Sequence, residues 1–197
     1  MPLLGKLKTL TLTGLSPIWH IYLQLRGVKV GEGLTCIGRP GVNLKRGSKI
    51  RLGRSVTLCN SGMANPLAED GRCRLSTVDL DAELIIHDGV GMSSVIICCA
   101  TRVEIGSGTI IGGGVMILDT DFHPRMPNGT WGTDPKTVSK PVTIGKNCFI
   151  GARAIILKGV TIGDGAMIGA GALVTRTVPE SATAAGNPAR VVSDNAR

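Results

Sequence analysis

The stretch VTIGKNCFIGARAIILKGVTIGDGAMIGAGALVTRTV, residues 142–178, repeats with a period of six and decides the fold. A large aliphatic residue recurs at every sixth position, namely at Ile144, Ile150, Ile156, Ile162, Ile168 and Val174. Two positions before each of these stands a smaller or β-branched residue, in order Val142, Cys148, Ala154, Val160, Ala166 and Ala172, and Val178 opens a further block. Side chains two positions apart face the same way in an extended strand but not in a helix. Each hexad is therefore predicted to be one short strand followed by a corner.

Strands this short cannot bury an apolar face alone, so we expect the hexads to stack as coils of a parallel β-helix. The abundance of Gly, 28 residues, and the scarcity of aromatic residues, 3%, suit tight corners around an aliphatic interior. The repeat is also regular at Ile105, Ile111 and Ile117, which are six positions apart, and a looser version of it begins at Val28. Residues 61–83 have little periodicity and are interpreted as an irregular excursion or as distorted coils.

Bulk composition limits the class of protein. The length of 197 residues predicts one main domain, and 43% hydrophobic residues argue against disorder. The net charge of +8 favours an anionic partner such as a phosphate-bearing cofactor, a phospholipid surface or nucleic acid. Nucleic acid is the least favoured, because neither a recognition helix nor a basic and aromatic RNA-binding sheet is present. The six Cys residues form no C-x-x-C pair, and with no secretory signal or long apolar run they favour a soluble or peripheral protein of the reducing cytoplasm.

The first 27 residues do not follow the hexad rule. Ser16-Pro17 resembles a helix N-cap followed by the proline favoured in the first turn, and Gly27 is placed to end the helix. Apolar residues at helical spacing are Leu3, Leu7 and Leu10, and then Ile18, Trp19, Ile21, Tyr22 and Leu25. Two interpretations stay open: a helical cap that covers the end of the coil, or an interfacial membrane anchor with Lys6 and Lys8 near anionic lipid.

A long interruption separates the two regular parts of the repeat. Ile117 and Ile144 are 27 positions apart, which is not a multiple of six, so residues 119–141 must leave the coil as a loop. The loop reads DTDFHPRMPNGTWGTDPKTVSKP and contains His123. A long loop on a regular scaffold is often functional, and a histidine can act as a base at neutral pH.

Together these features resemble the hexapeptide-repeat acyltransferase superfamily, in particular the sugar O-acetyltransferases related to maltose, galactoside, nodulation and polysaccharide-biosynthesis acetyltransferases. The resemblance spans residues 84–192 and is most specific in DTDFHP, in the regular hexads and in VPESATAAGNPARVV. It implies an all-β fold, a left-handed parallel β-helix shaped as a triangular prism, and a homotrimer with sites between neighbouring subunits. We expect residues 1–27 to form the helical cap, residues 28–178 the β-helix with its loop, and residues 179–197 a tail that completes a coenzyme A site.

The catalytic candidates lie in the loop. The resemblance places His123 at the position of the family's general base, which would take the proton of the acceptor hydroxyl. The second imidazole nitrogen needs a partner that fixes the tautomer. Asp119 and Asp121 are the near candidates, and the alternatives are a backbone carbonyl as the partner and an aspartate that only caps a turn.

The resemblance also implies acceptor and cofactor residues. Ser94 stands where relatives often carry an Asn that lines the acceptor site, and His87 and Trp131 are further acceptor candidates. Acetyl-CoA is the expected acyl donor, with no metal required. Its expected contacts are Ala152, Ala170, Thr175, Arg176 and Arg190, because small corners admit a pantetheine arm and guanidinium groups pair with phosphate.

The leading hypothesis is an acetyl-CoA-dependent O-acetyltransferase that acts on a sugar or glycan in surface polysaccharide biosynthesis. Alternatives are N-acetylation of a nucleotide-linked amino sugar, serine O-acetylation, and a non-catalytic trimeric scaffold. A zinc enzyme of the γ-type carbonic anhydrase class needs three His ligands. It is disfavoured because one of the only three histidines, His20, lies in the helical leader.

Overall fold

The fold is a prism built from three β-sheets. The structure is a computed structural model that describes residues 14–62, 64–67 and 71–194. Helix α1 (Ser16–Leu25) comes first. Sheet A contains β1 (Lys29–Val30), β4 (Lys49–Leu52), β7 (Glu83–Ile86), β10 (Arg102–Ile105), β13 (Val142–Ile144) and β16 (Thr161–Ile162). Sheet B contains β2 (Thr35–Ile37), β5 (Thr57–Cys59), β8 (Gly91–Ser93), β11 (Ile110–Ile111), β14 (Phe149–Ile150), β17 (Met167–Ile168), β19 (Ala182–Gly186) and β20 (Ala189–Asp194). Sheet C contains β3 (Gly41–Asn43), β6 (Arg74–Thr77), β9 (Ile96–Cys99), β12 (Met116–Leu118), β15 (Ile155–Ile156) and β18 (Leu173–Val174).

The chain visits sheets A, B and C in turn, and each coil adds one parallel strand to each sheet. The predicted left-handed parallel β-helix is confirmed. The hairpin of β19 and β20 is antiparallel and closes the last coil. Three edges separate the sheets, and we name them by their corners. The AB edge has corners at His87, Gly106, Gly145 and Gly163; the BC edge at Ser94, Gly112, Ala152 and Ala170; and the CA edge at Ala100, Asp119, Lys158 and Thr175.

The predicted inward positions form the core. Ile144, Ile150 and Ile156 are at most 1% exposed, and Cys148 is 2% exposed, as expected for a small apolar residue on the inner face. Parallel register stacks equivalent residues of successive coils, so that Ile105 pairs with Ile144. The interior is therefore a set of continuous aliphatic columns that keep every strand in place.

Residues 61–83 contain both an irregular excursion and part of a distorted coil, the two alternatives predicted for them. The chain leaves the coil after β5 and returns in time for β6 to pair with β3 and β9 in sheet C. The buried side chain of Asn60 closes this excursion at its base. Its Oδ1 accepts from Cys73 N at 2.8 Å, and its Nδ2 donates to Gly38 O at 3.1 Å. One coil is thus distorted by an insertion but still supplies its strand.

Helix α1 packs on the first coil and is held at both ends. The prediction that Ser16 is the N-cap is wrong, because Leu15 occupies that position and Ser16 Oγ instead accepts from Cys36 N at 2.9 Å. At the other end Gly27 has φ +85° and stops the helix as predicted. The predicted apolar residues Leu3, Leu7 and Leu10 lie outside the described residues. Within the described part of the chain, no helix combines the length and the apolar character that crossing a membrane requires.

Five of the six cysteines are expected to resist thiol reagents in the folded protein. All six are free thiols, and only Cys98 is not fully buried. Burial raises the pKa of the Cys36 and Cys73 thiols to about 12, and it also raises the pKa of Cys148. A rise of this size from the usual value lowers the thiolate fraction about a thousandfold at a given pH. Ellman's reagent at pH 8 should therefore titrate at most one thiol per chain before unfolding and six in guanidinium chloride. Rapid reaction of several native thiols would contradict the burial.

Candidate active site

The loop of residues 119–141 leaves the prism at the CA edge, between β12 and β13. Its two ends meet, since Lys140 N donates to Asp119 O at 2.8 Å. A 3-10 helix, Pro135–Val138, lies in its second half, and Thr120 Oγ donates to Pro135 O at 2.6 Å. The loop is therefore closed at its base and ordered by its own hydrogen bonds, which lets it hold a side chain in a fixed place.

His123 is oriented by a backbone carbonyl. Its Nδ1 lies 3.0 Å from Gly132 O, and Gly132 N in turn donates to Pro124 O at 2.8 Å. A carbonyl oxygen can only accept, so Nδ1 carries the hydrogen and Nε2 is the basic nitrogen of the neutral ring. Gly132 also has no room for a side chain, because an added Cβ would lie 2.8 Å from Pro124 Cγ. Of the predicted partners for the imidazole, the structure therefore has the backbone carbonyl.

Asp119 is committed to the scaffold, which corrects the expectation that it holds the imidazole. Its side chain is 0% exposed. The carboxylate accepts from Ala100 N at 2.6 Å, from Thr101 N at 2.7 Å and Thr101 Oγ1 at 3.1 Å, and from Arg102 N at 2.9 Å. These donors form the corner of the coil below, so Asp119 caps that corner and fixes the point where the loop departs.

The Asp121 carboxylate does not hydrogen-bond to the His123 imidazole either, and its side-chain partner is Lys158. The Lys158 ammonium donates to Asp121 Oδ2 and to Val138 O, the latter at 2.8 Å. Lys158 belongs to the corner of the coil above, so this contact ties the loop to the prism from the other side. Sequence reasoning missed both Lys158 and Gly132. Their roles depend on contacts with residues nine or more positions away, which no local pattern reveals.

An open cleft of about 680 Å³ is lined by Asp121, His123 and Trp131. Trp131 is 64% exposed, and the Arg125 guanidinium carbon lies 5.1 Å from the centre of its ring. The structure therefore brings together three of the predicted site residues in one cleft. A carboxylate, an imidazole and an indole ring can accept a proton, hydrogen-bond hydroxyl groups and stack on an apolar sugar face.

His87 and Ser94 lie on other edges of the same chain. His87, at the AB edge, has its Nε2 2.8 Å from Glu104 Oε1 in a separate groove of about 260 Å³. That hydrogen bond, together with Arg102, lowers the pKa of Glu104. Ser94, at the BC edge, is 5% exposed and donates its hydroxyl to Gly71 O at 2.6 Å. Neither side chain joins His123 within one chain.

The expected cofactor residues also divide between edges. Ala152 and Ala170 follow each other up the BC edge, where an added Cβ at Gly151 would lie 2.5 Å from Ala170 N. Arg190 belongs to the hairpin above them and pairs with Ala185. Because a Cβ at Gly169 would lie 2.9 Å from Ala185 Cβ, the hairpin sits directly over this corner.

Thr175 and Arg176 are exposed at the CA edge, on the same side of the prism as the loop. The three histidines are also far apart in the fold: His20 lies in α1, His87 at the AB edge and His123 in the loop. Among the described residues, no three His, Cys, Asp or Glu side chains form a group that could hold a metal ion.

Comparison with known proteins shows which families resemble this chain. Residues 141–176 match a family model described as the hexapeptide repeat of succinyl-transferase. The match lies on the regular hexads of the chain. Over 96 residues, 49% of its length, the chain is 50% identical to Nodulation protein L of Rhizobium meliloti (strain 1021). A Nodulation protein L of Rhizobium leguminosarum bv. viciae is also 50% identical over 96 residues. The chain spans about half the length of these curated relatives, 51% and 49%.

Two solved structures resemble this hexapeptide-repeat chain over most of its length. A galactoside acetyltransferase in complex with coenzyme A is 27% identical, with a TM-score of 0.52 over 84% of this chain and 64% of that one. The N-acyltransferase AntD from Bacillus cereus, in complex with dTDP-4-amino-4,6-dideoxyglucose and coenzyme A, is 18% identical, with a TM-score of 0.64 over 90% of each chain. The second likeness shows a shared fold.

Replacing Asp119 is expected to damage the fold, whereas the same change at Asp121 is not. In Asp119→Asn a side-chain amide group faces backbone N–H donors at a fully buried position, so the free energy of unfolding should fall by about 2–3 kcal/mol. Asp121→Asn removes only a partly exposed ion pair and should cost less than about 1 kcal/mol. Urea unfolding followed by circular dichroism measures both. Equal effects of the two changes would show that Asp119 is not the corner cap.

Proposed function

We propose that this protein is an acetyl-CoA-dependent O-acetyltransferase that acts on a sugar hydroxyl in surface polysaccharide biosynthesis. The observation that carries the proposal is the oriented imidazole of His123, with Nδ1 on Gly132 O and Nε2 without a hydrogen bond to the described residues. Likeness to a galactoside acetyltransferase solved with coenzyme A supports both the donor and the acceptor class. Likeness to Nodulation protein L covers 96 residues of the chain.

The geometry supports direct transfer of the acetyl group. Nε2 of His123 accepts the proton of the acceptor hydroxyl as its oxygen attacks the thioester carbonyl carbon. The tetrahedral adduct collapses by breaking the C–S bond, and the imidazolium returns its proton to the departing sulfur of coenzyme A. The products are an acetyl ester and free CoA. Gly132 O stabilises the imidazolium by keeping its hydrogen bond to Nδ1 throughout.

A homotrimer would complete the site. The outer surface of sheet C carries a column of half-buried aliphatic residues in register, Ile96, Met116, Ile155 and Leu173. By contrast, the outer surface of sheet A carries ion pairs such as Arg102 with Glu83 at 2.9 Å. The aliphatic column supports an arrangement in which sheet C faces a threefold axis.

This arrangement joins the two halves of the site. Sheet C lies between the BC and CA edges, so the BC edge of one copy meets the CA edge of the next. The track of Ala152 and Ala170 would then face a neighbour's His123 cleft. Acetyl-CoA would lie with its pantetheine arm along this track, and Arg190 would hold its phosphates above. Thr175 and Arg176 lie on the same edge as the loop and would contact the far side of the cofactor.

The cytoplasm is the location that we propose. Six free thiols support a reducing compartment, because an oxidising compartment would favour the formation of disulfides. The proposed acyl donor, acetyl-CoA, would then be in the same compartment as the enzyme.

The variant His123→Ala should lose transfer activity while keeping its fold. Loss of a general base lowers kcat/KM by about 10²–10⁴-fold. Free CoA release would be measured with hexoses and galactosides, with nucleotide-linked amino sugars, and with serine, and His20→Gln serves as a histidine control outside the β-helix. Product found only as an amide on an amino sugar would favour N-acetylation, and no turnover with any acceptor would favour a scaffold.

Mixed trimers should test whether the site lies between chains. His123→Ala removes the base at the CA edge, and Ala170→Trp fills the track at the BC edge, so each variant alone should be inactive. Co-expressed in equal amounts, the two chains should regain about a quarter of the wild-type activity, because one site in four combines two intact edges. Separately purified variants, mixed without exchange, are the control. No recovery in the co-expressed protein would place both edges of each site in one chain.

A further inference from the structure

Helix α1 has two apolar faces, and only one of them is buried. Leu23 is 0% exposed, and Trp19 and Tyr22 pack against the core of the prism. Beside this buried face, Ile18 is 56% exposed and Ile21 is 57% exposed. The cap function that the inner face serves therefore leaves the outer face unexplained.

The exposed residues form one continuous stripe. Ile18, Ile21 and Leu25 follow each other at spacings of three and four residues, which places them on one helical face. Leu25 is 82% exposed, and Leu15, one turn before Ile18, is 48% exposed. Single exposed aliphatics are ordinary on a protein surface, but a contiguous apolar stripe marks an interaction site.

Almost all of the net charge lies at the same end of the chain. Residues 1–62 contain ten Lys and Arg but one acidic residue, a net charge of +9. Residues 63–197 contain twelve Lys and Arg and thirteen acidic residues, a net charge of −1, which together give the total of +8. The positive charge is thus concentrated in the helix, the first coils and the segment before them.

Within the part of the chain that the structure describes, much of this charge has no counterion. Lys49, Arg51 and Arg54 form ion pairs with acidic residues of the next coil. Among the described residues, no ion pair is formed by the remaining basic residues of 14–62, which are Arg26, Lys29, Arg39, Lys45 and Arg46. Lys29 is in β1, and Lys45 and Arg46 are in the corner after β3, so all lie in the first coil beside α1.

We propose that this end of the prism docks on an anionic phospholipid surface, with Ile18, Ile21 and Leu25 inserted among the head groups and the unpaired basic residues against their phosphates. An amphipathic element binds a bilayer interface when apolar burial and attraction to anionic lipid act together. A nucleic acid would use the charge but leave the aliphatic stripe in water. A second copy of the same end would bring two strongly positive surfaces together, which electrostatic repulsion opposes.

The inference stands without the proposed enzymatic function, since it depends only on α1 and the first coil. A threefold axis parallel to the prism would strengthen it, because all three helices would then lie at one end of the assembly and bind the same surface together.

Vesicle co-sedimentation of the full chain tests the proposal. Vesicles of phosphatidylcholine with 30% phosphatidylglycerol should bind the protein, whereas phosphatidylcholine alone should bind it at least about tenfold more weakly. The triple change Ile18→Ser, Ile21→Ser and Leu25→Ser should lower the partition coefficient about tenfold or more, because it removes the inserted aliphatic surface. The matched control, Leu67→Ser with Leu80→Ser, removes exposed leucines elsewhere and should bind as wild type.

A charge-matched pair completes the test. Lys29→Gln with Arg46→Gln should weaken binding to anionic vesicles several-fold. Arg72→Gln with Arg74→Gln, which removes equal charge at the start of β6 and just before it, should not. The proposal is overturned if wild type ignores anionic vesicles or if the serine triple variant still binds them fully. It is also overturned if that variant has a lower mass by light scattering, since a second copy would then cover the stripe. Binding gained only after deletion of residues 2–13 would identify that segment as the occupant instead.

Discussion

Backbone contact between successive coils at the corners is the constraint on which the rest of this structure depends. A Cβ added at Gly106 would lie 2.5 Å from the Gly145 carbonyl carbon, and one at Gly163 would lie 2.4 Å from Glu180 N. At this spacing the strands hydrogen-bond from coil to coil, and the inward aliphatic side chains meet in columns. A segment that does not fit the spacing has to leave the prism at an edge. The loop that carries His123 is such a segment, so the regularity of the coil also determines where the candidate chemistry can be placed.

Carboxylates hold these corners together from one coil to the next. Asp88 Oδ1 accepts from Arg54 N at 2.8 Å, Asp164 Oδ1 accepts from Lys146 N at 2.8 Å, and Asp119 accepts three backbone N–H groups. The hydrogen bond from the Arg54 backbone, with the Arg54 side chain, holds the pKa of Asp88 below its usual value. These aspartates therefore accept hydrogen bonds from backbone N–H groups at the corner of the neighbouring coil. For this reason an aspartate close in sequence to a candidate base is weak evidence that the two act together.

Features that depend on the local six-residue period could be predicted from the sequence. Contacts between residues that are distant in the sequence could not. Inward Ile144 and Cys148 follow from alternation within a hexad, and the loop follows from the broken spacing between Ile117 and Ile144. The hydrogen bond from His123 to Gly132 and the pairing of Lys158 with Asp121 depend on how the loop folds back on the prism, which no repeat encodes. Ser16 shows the same limit at the N-terminal end. Its residue type fits an N-cap, but a strand of the first coil, through Cys36 N, competes for the hydroxyl.

The loop that carries His123 leaves the prism well above the basic end, and its second half reaches back toward that end. In sheet A, β1 and β13 are four strand spacings apart, or about 19 Å at the usual distance between neighbouring strands. The loop then descends part of this distance, because Lys136 Nζ lies 3.3 Å from Asp81 Oδ2. One pocket is lined both by Lys45 of the first coil and by loop residues 133–135. The proposed lipid contact through α1 and the proposed catalysis by His123 thus use different side chains, but the loop connects the coils on which the two proposals depend.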